Sequence, residues 1–154
     1  MIEPIQRHVT VGADQARAFR LFTEEIGSWW PVDTFSMAID REGGTKVESV
    51  VFEQREGGRV YEVASNGTEA TWATVMAWEP PQRLVLAWKP NLRDESPTEV
   101  EITFTAEETG TRVGLEHRGW ERLGERAIEA SEGYATGWSF VLGDRYAAAA
   151  GGTG

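Results

Sequence analysis

The chain has 154 residues, no cysteine, and a formal net charge of -10 from 25 acidic and 15 basic side chains. That length makes one ordinary domain with its own core. The lack of cysteine removes disulfides, thiolate nucleophiles and cysteine-ligated zinc, so a reducing, cytoplasmic setting is expected. The acidic balance disfavours nucleic acid and anionic membranes as partners, and nothing approaches the roughly 18 uninterrupted apolar residues of a membrane span.

No repeat or linker interrupts the chain: residues 1–150 read as a single domain and 151–154 (GGTG) as a frayed tail. Residues 5–11 alternate, with Ile5, Arg7, Val9 and Val11 on one face and Gln6, His8 and Thr10 on the other, which predicts a half-buried strand. From 13 to about 25 the spacing of Ala18, Phe19, Phe22 and Ile26 predicts an amphipathic helix, with Asp14 favoured by the helix dipole in its first turn and Pro31 ending the segment beyond Trp29 and Trp30. After a loop around 40–45, strands are expected at 46–54, 59–65 and 69–79. The connections Arg55-Glu56-Gly57-Gly58 and Asn66-Gly67 supply residues that accept positive φ, so the pairing should be antiparallel. Pro80-Pro81-Gln82 turns the chain into 83–89, where Leu84, Leu86 and Trp88 share a face. Val100, Ile102 and Phe104 share one across 99–105, as do Val113, Leu115 and His117 across 111–118. From about 121 the period returns to 3.6. Leu123, Ala127, Ile128, Tyr134, Ala135, Trp138, Val141, Leu142 and Tyr146 form a stripe that must face the sheet, with a break expected near 131–133 because Gly124, Gly133 and Gly137 weaken the helix. The order of elements is that of an α+β layer architecture.

Trp29-Trp30-Pro31, Gly57-Gly58-Arg59-Val60-Tyr61-Glu62, the run from Trp78-Glu79-Pro80-Pro81 to Trp88, and Thr111 to Trp120 followed by Tyr134, Gly137-Trp138 and Leu142 together resemble the family of activators of the 90-kDa heat-shock protein ATPase (AHSA-type). The resemblance covers nearly the whole chain. It implies the START-like, Bet v-like helix-grip fold of the SRPBCC superfamily, a curved antiparallel sheet of six to seven strands around a long C-terminal helix, often with an apolar ligand between them. Chaperone activation belongs to longer members of the family with a further N-terminal domain, so a chaperone partner is not the first expectation here.

His117 is the candidate acid or base, because its strand turns it toward the presumed cavity and imidazole titrates near neutral pH; a histidine hydrogen-bonded to its neighbours for structural reasons is the competing reading. His8 falls on the polar face. Two histidines without ligand spacing give no metal site, and no nucleotide, dinucleotide or nucleophile-elbow motif is present, so no cofactor is expected. Glu53, Arg59 and Glu62 are candidates for orienting a ligand, the alternative being a cross-strand ion pair in water. The ring-lined pocket is expected from Trp30, Phe35, Tyr61, Trp72, Trp88, Phe104, His117, Tyr134 and Trp138. Three functions remain open: a binding protein for a small apolar or aromatic molecule, a cyclase- or dehydratase-like enzyme using His117, and a protein-interaction module. Both a monomer and a homodimer are compatible with the sequence.

Overall fold

The computed structural model describes residues 4–29, 47–65, 67, 69–88, 98–121 and 127–150. In chain order these form β1 (Ile5–Val11), α1 (Gln15–Thr23), a 3-10 turn (Ile26–Ser28), β2 (Val47–Phe52), β3 (Arg59–Ala64), β4 (Glu69–Glu79), β5 (Arg83–Trp88), β6 (Thr98–Glu107), β7 (Gly110–Arg118), α2 (Ala127–Trp138), a π-helical segment (Ser139–Tyr146) and α3 (Ala147–Ala149). The strands make one sheet in the order β1-β7-β6-β5-β4-β3-β2, antiparallel at every pairing. From β2 to β7 each strand pairs with the next in sequence, and β1 forms the edge beside β7.

The alternation in the sequence sets which face is buried. Leu84, Leu86 and Trp88 of β5, Val100, Ile102 and Phe104 of β6 and Val113, Leu115 and His117 of β7 all point inward and are buried. Asp14 is the N-cap of α1 rather than part of its first turn. Its backbone is extended and its carboxylate accepts the Arg17 N–H at 2.8 Å, satisfying a donor the helix leaves open. The helix buries Ala18, Phe19, Leu21 and Phe22 against β6 and β7.

In β4 the alternation fails for a specific reason. Val75 pairs with Leu86 and Ala77 with Val85, so Met76 is an extra residue bulged outward at 48% exposure. The bulge reverses the parity of the strand, and Trp78 thereby turns inward to meet Phe19 and Phe52 at 5.1 and 5.9 Å. A second irregularity lies opposite Val60 and Tyr61, at Trp72. At the β2–β3 turn Gly58 is obligatory, since a Cβ there would lie 2.7 Å from the Glu53 carbonyl oxygen.

The C-terminal helical run comes closest to β1. α2 continues unbroken through 131–133, where a break was expected; the irregularity comes after Trp138, as the π-helical segment. An α-helix advances about 100° per residue, so a stripe spaced by fours drifts about 40° each time. The wider π turns take that drift back and keep Val141, Leu142 and Tyr146 buried on the side that Trp138 faces. Ile128, placed on the stripe by its spacing, is instead 64% exposed, and Ala127 takes the buried position beside it. Leu123 lies outside the described residues. The run is fastened to the N-terminal half by the Tyr146 hydroxyl, which donates to the Ala18 carbonyl at 2.8 Å, and by Arg145, which donates to the Trp29 carbonyl at 3.2 Å.

Candidate functional site

At the end of the sheet where β5 leaves and β6 enters, strand register places Val60, Ala73, Trp88 and Thr98 side by side, with His117 next to Val100. His117 is fully buried and both of its ring nitrogens are engaged. The Trp138 indole N–H donates to Nδ1 at 2.9 Å, and an indole can only donate, so Nδ1 is the acceptor and the neutral ring carries its proton on Nε2. Nε2 then donates to the Thr98 hydroxyl at 2.7 Å, and that hydroxyl donates onward to the Trp88 carbonyl at 3.2 Å. Burial pulls the His117 pKa down to about 3. The imidazole is thus neutral, oriented and saturated, which is the arrangement of a structural histidine and poorly suited to acid–base work at neutral pH.

Rings close around it. Trp120 lies 4.2 Å from His117, centre to centre, and donates its indole N–H to the His117 carbonyl at 3.0 Å; Tyr134 lies 5.0 Å from His117, and Trp88 5.5 Å from Trp138. The Trp88 indole N–H donates to the Tyr134 hydroxyl at 3.1 Å, tying the sheet to α2. Among the described residues no buried side-chain nitrogen or oxygen lacks a hydrogen-bond partner. Four expected site residues therefore meet here: Trp88, His117, Tyr134 and Trp138. Trp120 and Thr98 complete the cluster without having been singled out. Register could have found Thr98, since it is two residues before Val100 on the same face, but the strand was expected to begin at 99.

The remaining expected residues are distributed elsewhere. Phe104 is buried in a second ring cluster with Phe19 and Phe22, 5.1 and 6.0 Å away, at the α1 end of the sheet. Arg59 and Tyr61 lie on the opposite face of β3 from Glu62, with the guanidinium 4.2 Å above the Tyr61 ring and hydrogen bonds to Thr71 and Glu69, so the three polar candidates do not converge. Glu53 accepts the Arg59 backbone N–H at 2.7 Å and closes the β2–β3 hairpin. The backbone of Trp72 sits at the β4 irregularity; its side chain, and Trp30 and Phe35 entirely, lie outside the described residues.

Glu62 alone of that trio points inward. It is fully buried, and it is the only buried acidic side chain among the described residues. Two strand spacings and a two-residue offset put its Cα about 12 Å from that of Trp88. The buried side chains described in that interval, Val60 two residues from Glu62 and Ala73 beside Trp88, are short. Leucines, phenylalanines and isoleucine occupy the opposite end of the same face.

A seven-stranded antiparallel sheet closed by one C-terminal helix defines the helix-grip, START-like class of protein. The chain belongs to the family described as Activator of Hsp90 ATPase homolog 1-like protein, whose model matches residues 13–150. Solved structures share the fold. An anthrahydroquino-γ-pyrone synthase, Txn09, is 27% identical, with 96% of each chain covered and a TM-score of 0.61. A protein from Chromobacterium violaceum is 16% identical, covering 97% of this chain and 98% of its own, with a TM-score of 0.66. An AHSA1-like protein from Aeromonas hydrophila is 17% identical, covering 94% and 90%, with a TM-score of 0.61. No protein of curated function matches the chain. No described helix is long and apolar enough to cross a membrane.

Proposed function

We propose that this protein binds a small, largely apolar aromatic molecule between the inward face of the sheet and α2, with Glu62 giving it orientation. One observation carries the reading: a fully buried carboxylate and a wall of interlocked rings flank a stretch of the same face where the buried side chains described are the short ones of Val60 and Ala73. Small side chains on a concave face leave room, aromatic walls suit a flat guest, and a single polar group fixes which way it lies. A carboxylate has about four acceptor sites, so Glu62 can take a ligand O–H or N–H in addition to the bonds it makes within the protein.

The ring wall takes no charged part in this. With Nδ1 and Nε2 of His117 both committed, the wall offers faces and edges, and hydrogen bonding to the ligand falls to Glu62. Binding of 1,8-dihydroxyanthraquinone, followed by quenching of tryptophan emission, should be saturable. Glu62→Gln should weaken it about tenfold, the worth of one charge-assisted hydrogen bond less its neutral replacement. Absence of saturable binding by this probe and by a series of related planar phenols would contradict the reading.

A second reading is favoured by the 27% identical synthase: ring closure or dehydration of a bound polyketide-like substrate. In that case the proton is handled by Glu62 rather than by His117, whose nitrogens are occupied. Recovery of an altered compound after incubation supports the enzyme, and recovery of the unchanged compound supports the binding protein.

A further inference from the structure

We propose that α2 is a movable wall of this site, hinged on the π-helical segment and latched to the sheet by the Trp138–His117 and Trp88–Tyr134 hydrogen bonds. The admission of ligand rests on the binding reading; the motion itself stands on the following contrasts.

The C-terminal run is held in two different ways along its length. Beyond Ser139, Val141, Leu142, Tyr146, Ala147 and Ala150 are all buried, and the Tyr146 hydroxyl is bonded to α1. Within α2 only Ala127 and Trp138 are fully buried among the side chains described, Tyr134 and Ala135 are half-buried, and Ile128, Glu129, Glu132 and Thr136 are exposed. Segments that bury little apolar surface open at lower free energy than the rest of a protein.

Besides the ring contacts of Tyr134 and Trp138, α2 is held to the sheet by directional bonds. Trp138 donates to His117, Tyr134 accepts from Trp88, and the Ala135 carbonyl accepts from Arg7 at 3.2 Å. Bonds of this kind break singly, each with a modest net cost, because water replaces the lost partner once the group is exposed. The helix itself adds little locally, since it contains Gly133 and Gly137.

The hinge is where the hydrogen-bond ladder changes register. At the far end of the π segment the Ala147 N–H bonds to the Leu142 carbonyl, five residues back. Its one glycine, Gly143, has open space where a Cβ would be, so it is not required by packing. Ser139, at the near end, accepts from Arg7 at 3.0 Å and donates to the Ala135 carbonyl at 3.1 Å, joining wall, hinge and β1 at one point. Rotation about this junction lifts Tyr134 and Trp138 away from Trp88 and His117 and uncovers the inward face.

Hydrogen exchange read by mass spectrometry tests this on the unliganded protein. Amides of 131–138 should exchange at least about 100-fold faster than those of 142–150 and 113–117, as an independent opening unit. Trp138→Phe keeps a ring and removes the indole donor; it should speed exchange of α2 about a further tenfold and leave 142–150 unchanged. In stopped-flow mixing the same variant should bind 1,8-dihydroxyanthraquinone with a faster association rate. Exchange of 131–138 in step with 142–150 in the wild-type protein overturns the proposal, whether or not the variant folds. Independent opening of α2 in a protein that binds no planar probe establishes the hinge, contradicts the ligand site and removes the wall's role.

Discussion

His117 is a residue whose environment has replaced its usual chemistry. Its nitrogens are fixed by an obligate donor on one side and a hydroxyl relay on the other, and burial holds it neutral down to a pKa of about 3. In the unfolded chain the same ring titrates near 6.5, so between those values the unfolded state binds the proton and the native state does not. Stability should therefore fall as pH drops below 6.5, with a slope approaching 1.4 kcal/mol per pH unit, the value for one proton. Urea unfolding of the wild type and of His117→Gln between pH 7.5 and 5 checks this: the variant should lose that slope over the range above ordinary carboxylate titration. Equal slopes would mean that His117 is already protonated or exposed in the native protein. The sequence revealed that His117 faces inward, through its alternation with Val113 and Leu115. It could not reveal saturation of the ring, since Trp138 and Thr98 come from distant elements and only the assembled register brings them together.

At the scale of elements, most strand boundaries were legible because the sheet buries one face, and burying one face enforces a period of two. β4 shows where this ends. Trp78 reads as outward by counting from Ala73 and Val75, and only the bulge at Met76 turns it in. The outer face follows a different logic, pairing by charge. Arg118 on β7 reaches Glu99 and Glu101 on β6 and Glu116 on its own strand, at 3.1, 2.7 and 2.8 Å. Arg83 joins the same Glu101 to Glu79. These bonds, first among them the one from Arg83, hold the Glu101 carboxyl below its usual range; Gln6 and then Arg118 do the same for Glu116. A carboxylate depressed in the native state stabilises above its unfolded pKa, and that contribution is lost as pH falls through the native value. Arg118→Met should cost about 1 kcal/mol at low salt and less in concentrated salt, because the network is half-exposed and screened. Truncation in the core is a different matter. Phe104→Ala should cost about 3–5 kcal/mol irrespective of salt, since it opens a cavity between α1 and the sheet. Thermal or urea unfolding across a salt series separates the two effects.

At the scale of the whole molecule, the ring contacts among the described residues fall into two clusters with different work. One, Phe19, Phe22, Trp29, Trp78, Phe104 and Tyr146, is a conventional core that fastens α1 and the end of the C-terminal run to the sheet. The other, Trp88, Trp120, Tyr134 and Trp138 around His117, lies at the opposite end and is joined through hydrogen bonds as well as ring contacts. Composition announces the load of tryptophan and not its division, which depends on which end of each strand a ring occupies. Hence Phe104 was expected in the pocket by face and belongs to the core by position along the strand. Arg59 and Tyr61, expected beside Glu62, fall on the other face because neighbouring residues of a strand alternate.

The ligand site between Glu62 and the ring wall is tested most directly by native mass spectrometry of the intact protein, as purified and after incubation with excess 1,8-dihydroxyanthraquinone. One non-covalent adduct per chain is expected in the second sample, diminished in Glu62→Gln and retained in Arg59→Ala. A bare polypeptide mass in both samples, or an adduct indifferent to Glu62, contradicts it.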